Sequence, residues 1–149
     1  MAASKTYLVP VDFSKTSERA LDHAIKLARE NNGELLLLHV IPTAALMMTG
    51  HEAAMGQMIV EYEKIISKDA EKKMKGLVNR KKLKPGECRT ATLKRGDPAM
   101  SIASQAKKSC ASMIVMGSHG RTGFKRLVLG SVAERTLRYA SCPVLIVKR

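Results

Sequence analysis

The sequence predicts an α/β protein built on an open parallel sheet with helices on both faces. Two observations carry that expectation. Short apolar runs at Tyr7–Val11, Leu35–Ile41, Cys88–Leu93, Met113–Met116 and Val144–Val147 alternate with segments of helical periodicity. The second run, Leu35-Leu36-Leu37-Leu38-His39-Val40-Ile41, is apolar almost throughout, as a strand covered on both faces should be. The 149 residues, 45% hydrophobic, suffice for one domain with a sizeable core, and no linker or repeat divides residues 1–149.

The first strand, Tyr7-Leu8-Val9-Pro10-Val11, stops at the turn-prone Asp12-Phe13-Ser14. A helix follows, with Thr16 or Ser17 as N-cap and Glu18 in its first turn. Its apolar stripe is Ala20, Leu21, Ala24, Ile25 and Ala28, and Asn31-Asn32-Gly33 ends it, Gly33 being suited to a left-handed C-terminal position. Pro42 closes the second strand. A long helix then keeps helical spacing through Met55, Met58, Ile59, Tyr62, Ile65, Ile66, Ala70, Met74, Leu77 and Val78, until Pro85-Gly86 breaks it. Its methionines read as packing residues rather than a cofactor box. After the Thr-rich strand from Cys88, Gly96-Asp97-Pro98 places Asp97 at an N-cap and Pro98 at the first helical position, with Ile102, Ala103 and Ala106 facing the core. The fourth strand runs into a glycine-rich loop. A helix from about Ser131 and a strand from Val144 complete the chain.

Composition sets the outer limits. No apolar run approaches a membrane span, and the first residues lack the apolar stretch of a secretory signal. A soluble cytoplasmic protein is expected, with no membrane partner. Cys88, Cys110 and Cys142 fall in no zinc-type spacing and read as buried thiols. His23 and His51 belong to no cluster, so no metal site is expected. The formal charge of +13 would suit an anionic partner, and much of it lies between Lys72 and Lys84, where cations also suit the end of a helix dipole. Aromatic residues make up 3% of the chain with no tryptophan, which leaves no stacking platform for bases and argues against nucleic acid.

The most informative stretch is residues 117–131, Gly-Ser-His-Gly-Arg-Thr-Gly-Phe-Lys-Arg-Leu-Val-Leu-Gly-Ser. Glycines let a backbone turn and approach a ligand, and a following helix start offers unpaired N–H groups to a phosphate. No G-x-x-x-x-G-K-[ST] occurs, and no G-x-G-x-x-G follows the first strand, so Walker and Rossmann dinucleotide loops are excluded. What stands instead is Gly117-x2-Gly120-x9-Gly130-Ser131, with Arg121, Lys125 and Arg126 supplying cations. Parallel sheets of this kind bind ligands beyond the carboxyl ends of their strands, where this loop falls.

With that spacing the chain resembles the universal stress proteins, in their ATP-binding branch. The likeness extends along the chain: Leu8-Val9-Pro10-Val11-Asp12-Phe13-Ser14, Leu37-Leu38-His39-Val40, Gly96-Asp97-Pro98, Met116-Gly117-Ser118-His119-Gly120 and Cys142-Pro143-Val144-Leu145-Ile146-Val147. The resemblance implies a Rossmann-like sheet of the adenine nucleotide alpha hydrolase type, with strand order 3-2-1-4-5, and binding of ATP or another adenine nucleotide, with or without Mg. Pro10, Val11 and Asp12 would contact the nucleotide near its adenosine part. Val40 would line the adenine pocket. Met116, Gly117, Ser118, His119, Gly120 and Arg121 would wrap the ribose and phosphates, and Gly130, Ser131 and Val132 would bind phosphate. It also implies a homodimer through strand 144–147, an edge with unpaired backbone groups.

Simpler roles exist beside these. Asp12 suits a cap or turn, His39 a hydrogen-bonded core position, and His119 an exposed loop position without an essential contact. Lys125 and Arg126 suit solvent, and Gly123 loop flexibility. Three functions follow: a nucleotide-dependent stress-response regulator, a slow ATPase or autophosphotransferase, and a basic adaptor for nucleic acid or protein. Phosphoryl transfer needs metal and a positioned nucleophile, yet the loop carries no carboxylate. Slow hydrolysis or none is expected.

Overall fold

A computed structural model describes residues 5–42, 56–119 and 129–148, apart from the side chains at 57–59, 94 and 95. The elements run β1 (Thr6–Pro10), α1 (Lys15–Glu30), β2 (Glu34–Pro42), α2 (Gly56–Arg80), β3 (Cys88–Gly96), α3 (Pro98–Lys108), β4 (Met113–Gly117), α4 (Ser131–Tyr139) and β5 (Val144–Val147). All strand pairs are parallel, in the order β3-β2-β1-β4-β5. The order reverses between β1 and β4. β3 and β5 are the two edges.

The strand period of two builds two cores from one sheet. Tyr7, Val9, Leu35, Leu37 and Val115 face α1 and α2, meeting Leu21, Ala24, Met74 and Leu77. Leu8, Leu36, Leu38, Ile114 and Met116 face the other way, onto Ile102, Ala106 and Ala133. The unbroken leucine run of β2 is thereby explained, since each leucine is buried on one face or the other. Complete burial of each such side chain contributes roughly 1.5–3 kcal/mol.

The predicted stripe of α1 is buried throughout, as are Ile102, Ala103 and Ala106 of α3. In α2 the stripe holds at Ala70, Met74 and Leu77 but fails at Ile65, which is 60% exposed, and at Tyr62, also exposed; Met55 and the side chains of Met58 and Ile59 lie outside the described residues. Helical spacing alone did not separate these exposed positions from the buried ones.

The helix caps correct two expectations. Ser14, not Thr16 or Ser17, is the N-cap of α1: its Oγ accepts from the Ser17 backbone N–H. Gly33 is not the left-handed residue after α1, because Asn32 is, at φ 51°. Gly33 is instead a close-packing site, where a Cβ would stand 2.5 Å from the Lys5 carbonyl oxygen and 2.8 Å from the Tyr7 ring. The same left-handed ending recurs at Lys82 after α2 and Cys110 after α3. In each case the next residue donates back into the helix: Gly33 to Ala28, Leu83 to Val78, Ala111 to Ala106. Asp97 and Pro98 take the expected first positions of α3, with Asp97 accepting from the Met100 N–H.

Part of the basic block is internally compensated. Arg80 and Lys81 pair with Glu18 and Asp22 of α1, and Lys73 pairs with Asp69. The cysteines depart from the buried reading. Cys110 is exposed, while Cys88 and Cys142 are partly buried, all as free thiols. Burial pushes the Cys88 thiol up to about 11.

Candidate functional site

The reversal point brings together the carboxyl ends of β1 and β4. After Pro10 the chain is anchored to β2, the Val11 N–H donating to the Leu38 carbonyl. It then turns sharply. Asp12 accepts from the Ser14 N–H through Oδ1 at 3.0 Å, so its carboxylate organises the turn, as the simpler reading allowed. Phe13 adopts φ 65°, a left-handed conformation costly for an aromatic residue. Such strain persists where surrounding contacts enforce it, and it concentrates at functional loops.

Gly117 is the last residue of β4. It does not provide a sharp turn, as the loop spacing suggested. It provides room for α1: a Cβ would come within 2.7 Å of the Thr16 Cγ2 and 3.1 Å of the Thr16 carbonyl oxygen. Ser118 is buried and donates its N–H to the Val147 carbonyl, extending the sheet towards β5. Its Oγ lies 2.9 Å from Nδ1 of His119. His119 is therefore half-buried and hydrogen-bonded, not an exposed loop residue without contacts. Its Nε2 is buried without a partner among the described residues.

The other end of the glycine motif returns to the same place. The Gly130 N–H donates to the Ser118 carbonyl at 2.7 Å. A Cβ on Gly130 would stand 3.0 Å from that oxygen and 3.4 Å from the His119 Cα. Gly130 is the N-cap of α4 and has no side-chain cap to offer. Ser131 and Val132, exposed at the first turn, thus open a helix whose leading N–H groups have no side-chain cap among the described residues.

Of the residues singled out in the sequence, Pro10, Val11 and Asp12 stand at the end of β1. Met116, Gly117, Ser118 and His119 stand at the end of neighbouring β4. Gly130, Ser131 and Val132 stand at the start of α4, tied to Ser118. Val40, near the end of β2, packs partly buried against the α3–α4 side of the sheet. Gly120 and Arg121 lie outside the described residues, as do His51, Gly123, Lys125 and Arg126. Among the described residues there is no group of His, Cys, Asp and Glu that could hold a metal ion, and no helix long and apolar enough to cross a membrane.

Three residues noted in the sequence for other roles also shape the site, through partners the sequence did not name. Thr16 supplies the surface against which Gly117 packs. Asp97, at the carboxyl end of β3, holds α4 through Arg135 at 2.7 Å. His39, at the carboxyl end of β2, bonds the Val11 carbonyl at 2.7 Å. The only sequence signal for His39 was a polar residue inside an apolar run.

A parallel sheet that reverses at β1 and β4, with helices on both faces, defines a doubly wound α/β protein, a class that binds its ligands at the switch point. The chain belongs to the universal stress protein family, whose family model matches residues 4–148. It is 37% identical to universal stress protein MJ0531 of Methanocaldococcus jannaschii, over 97% of this chain and 82% of that protein. It is 35% identical to universal stress protein YxiE of Bacillus subtilis, over 95% of this chain and 97% of that one. Among solved structures, protein MJ0577 of Methanocaldococcus jannaschii superposes with a TM-score of 0.83 at 32% identity, covering 97% of this chain and 96% of that one. The universal stress protein of Archaeoglobus fulgidus in complex with dAMP superposes with a TM-score of 0.63 at 25% identity, covering 98% of each chain.

Proposed function

We propose that this protein binds an adenine nucleotide, ATP foremost, across the ends of β1 and β4, and acts as a nucleotide-dependent regulator in stress responses. One observation carries the reading. Gly130 is held against Ser118, which brings the uncapped start of α4 beside the end of β4. A helix start of that kind, with Ser131 exposed at its first position, suits a phosphate. Asp12 and Val40 would face the nucleoside, and Gly120 and Arg121 would close over the phosphates. The dAMP complex of the Archaeoglobus fulgidus relative supports an adenine nucleotide as the ligand class.

The protein is proposed to hold the nucleotide with slow turnover or none. Among the described residues at the β1 and β4 ends, Asp12 is the one carboxylate that could meet a magnesium ion, and its Oδ1 already serves the Ser14 N–H. A homodimer through β5 fits its place at the sheet edge, where Leu145 is exposed. Calorimetric titration of the nucleotide-stripped protein with ATP, ADP and AMP tests the reading. Saturable heat is expected, and its absence with all three overturns it.

A further inference from the structure

The turn that carries Asp12 is gripped on both sides by one residue of another strand. His39 lies near the end of β2, beside β1. Its Nδ1 is 2.7 Å from the Val11 carbonyl oxygen. A carbonyl only accepts, so Nδ1 carries the proton and donates. The His39 ring also stacks on Phe13, with centroids 4.7 Å apart and planes inclined by 40°. Val11 immediately precedes Asp12, and Phe13 immediately follows it.

These contacts address a specific problem. Phe13 sits at φ 65°, where a bulky side chain is strained, and the turn would relax without an external hold. Packing supplies part of it. Phe13 lies against the core beneath α1 and α2, and Lys73 Nζ is 5.9 Å from its ring. His39 supplies the directional part, because its hydrogen bond sets where the Val11–Asp12 peptide points. The helix start beyond the turn is separately fixed by Ser14 and Ser17.

We infer that His39 is a positioning residue for the nucleotide site: through Val11 and Phe13 it sets the orientation of Asp12, and thereby the affinity for the adenosine end of the ligand. The inference rests on the nucleotide reading above. His39 is not a ligand contact in this scheme.

The two ring nitrogens allow a discriminating test. The amide nitrogen of His39→Asn takes the place of Nδ1 and can donate to Val11, whereas that of His39→Gln takes the place of Nε2 and cannot. Both replacements are polar and of similar size. With ATP as the probe in calorimetry, His39→Asn should bind within about threefold of wild type. His39→Gln should lose about tenfold, the scale of one lost hydrogen bond. In an Asp12→Ala background the Asn–Gln difference should shrink below about twofold, which a general loss of folding stability would not produce. Equal affinities of the two variants, or the same difference with and without the Asp12 carboxylate, overturn the inference while leaving the nucleotide reading intact. Absence of ATP binding by the wild-type chain overturns both.

Discussion

Gly117 and Thr16 meet so closely that there is no room between them for a methyl group: a Cβ on Gly117 would lie 2.7 Å from the Thr16 side chain and 3.1 Å from its backbone. The first glycine of the loop motif is therefore also a packing residue, locking β4 to the first turn of α1. Gly117→Ala should destabilise the fold by about 1–3 kcal/mol through this overpacking. Urea unfolding measures it, and an unchanged midpoint would remove the packing role. Loss of nucleotide binding in a Gly117 variant cannot by itself be assigned to the ligand.

Ser131 offers a cleaner probe of the helix start. It is exposed at the first position of α4, where an acidic side chain favours the helix dipole yet repels a phosphate. Ser131→Asp should leave Tm unchanged or slightly raised while weakening ATP binding about tenfold or more. Adenosine binding should be little affected. Equal losses for ATP and adenosine in calorimetry would argue against phosphate at this helix.

Lys82 and Cys110 hold left-handed conformations that glycine adopts without strain, at φ 52° and 49°. Lys82→Gly and Cys110→Gly should each stabilise by about 0.5–1 kcal/mol, the relief of left-handed strain less the greater freedom of glycine in the unfolded chain. The urea midpoint should rise with the slope unchanged. A fall in midpoint would mean that the native side chains pack more favourably than their exposure suggests.

The Asp97 carboxyl is held below its ordinary value, first by the Met100 N–H it caps and further by Arg135. A depressed value stabilises the fold at neutral pH, and that stabilisation is lost as pH falls through the folded-state value, below the ordinary aspartate value of 3.8. Asp97→Asn keeps a capping oxygen but gives up the charge facing Arg135. Its deficit in Tm should be greatest near neutral pH and shrink as pH falls below 3.8 towards the folded-state value. A deficit constant across that range would assign the effect to capping geometry instead.

Most of the fold was legible because its causes are local. The alternation of apolar runs with helical periodicity, Pro98 behind Asp97, and the isolated Val144–Val147 run each predicted an element that formed. The helix ends were read less well. Glycine is the usual left-handed residue, which favours Gly33 over the neighbouring Asn32, while Lys82 and Cys110 carry no comparable signal. The exposure of Ile65 was missed because the hydrophobic pattern of α2 runs wider than the surface it covers.

The order of strands and helices, the two apolar faces of β2, and the placement of a glycine-bracketed loop after β4 were determined by the sequence itself. They depend on side-chain period and turn chemistry within short windows. Only the tertiary structure decided what those glycines touch, which cations of the basic block meet Glu18 and Asp22, and that His39 grips the turn around Asp12. Each of those relations joins residues far apart in the chain. Their chemistry is visible in the sequence, but their distance is set by how β1, β2 and β4 lie side by side in the folded sheet.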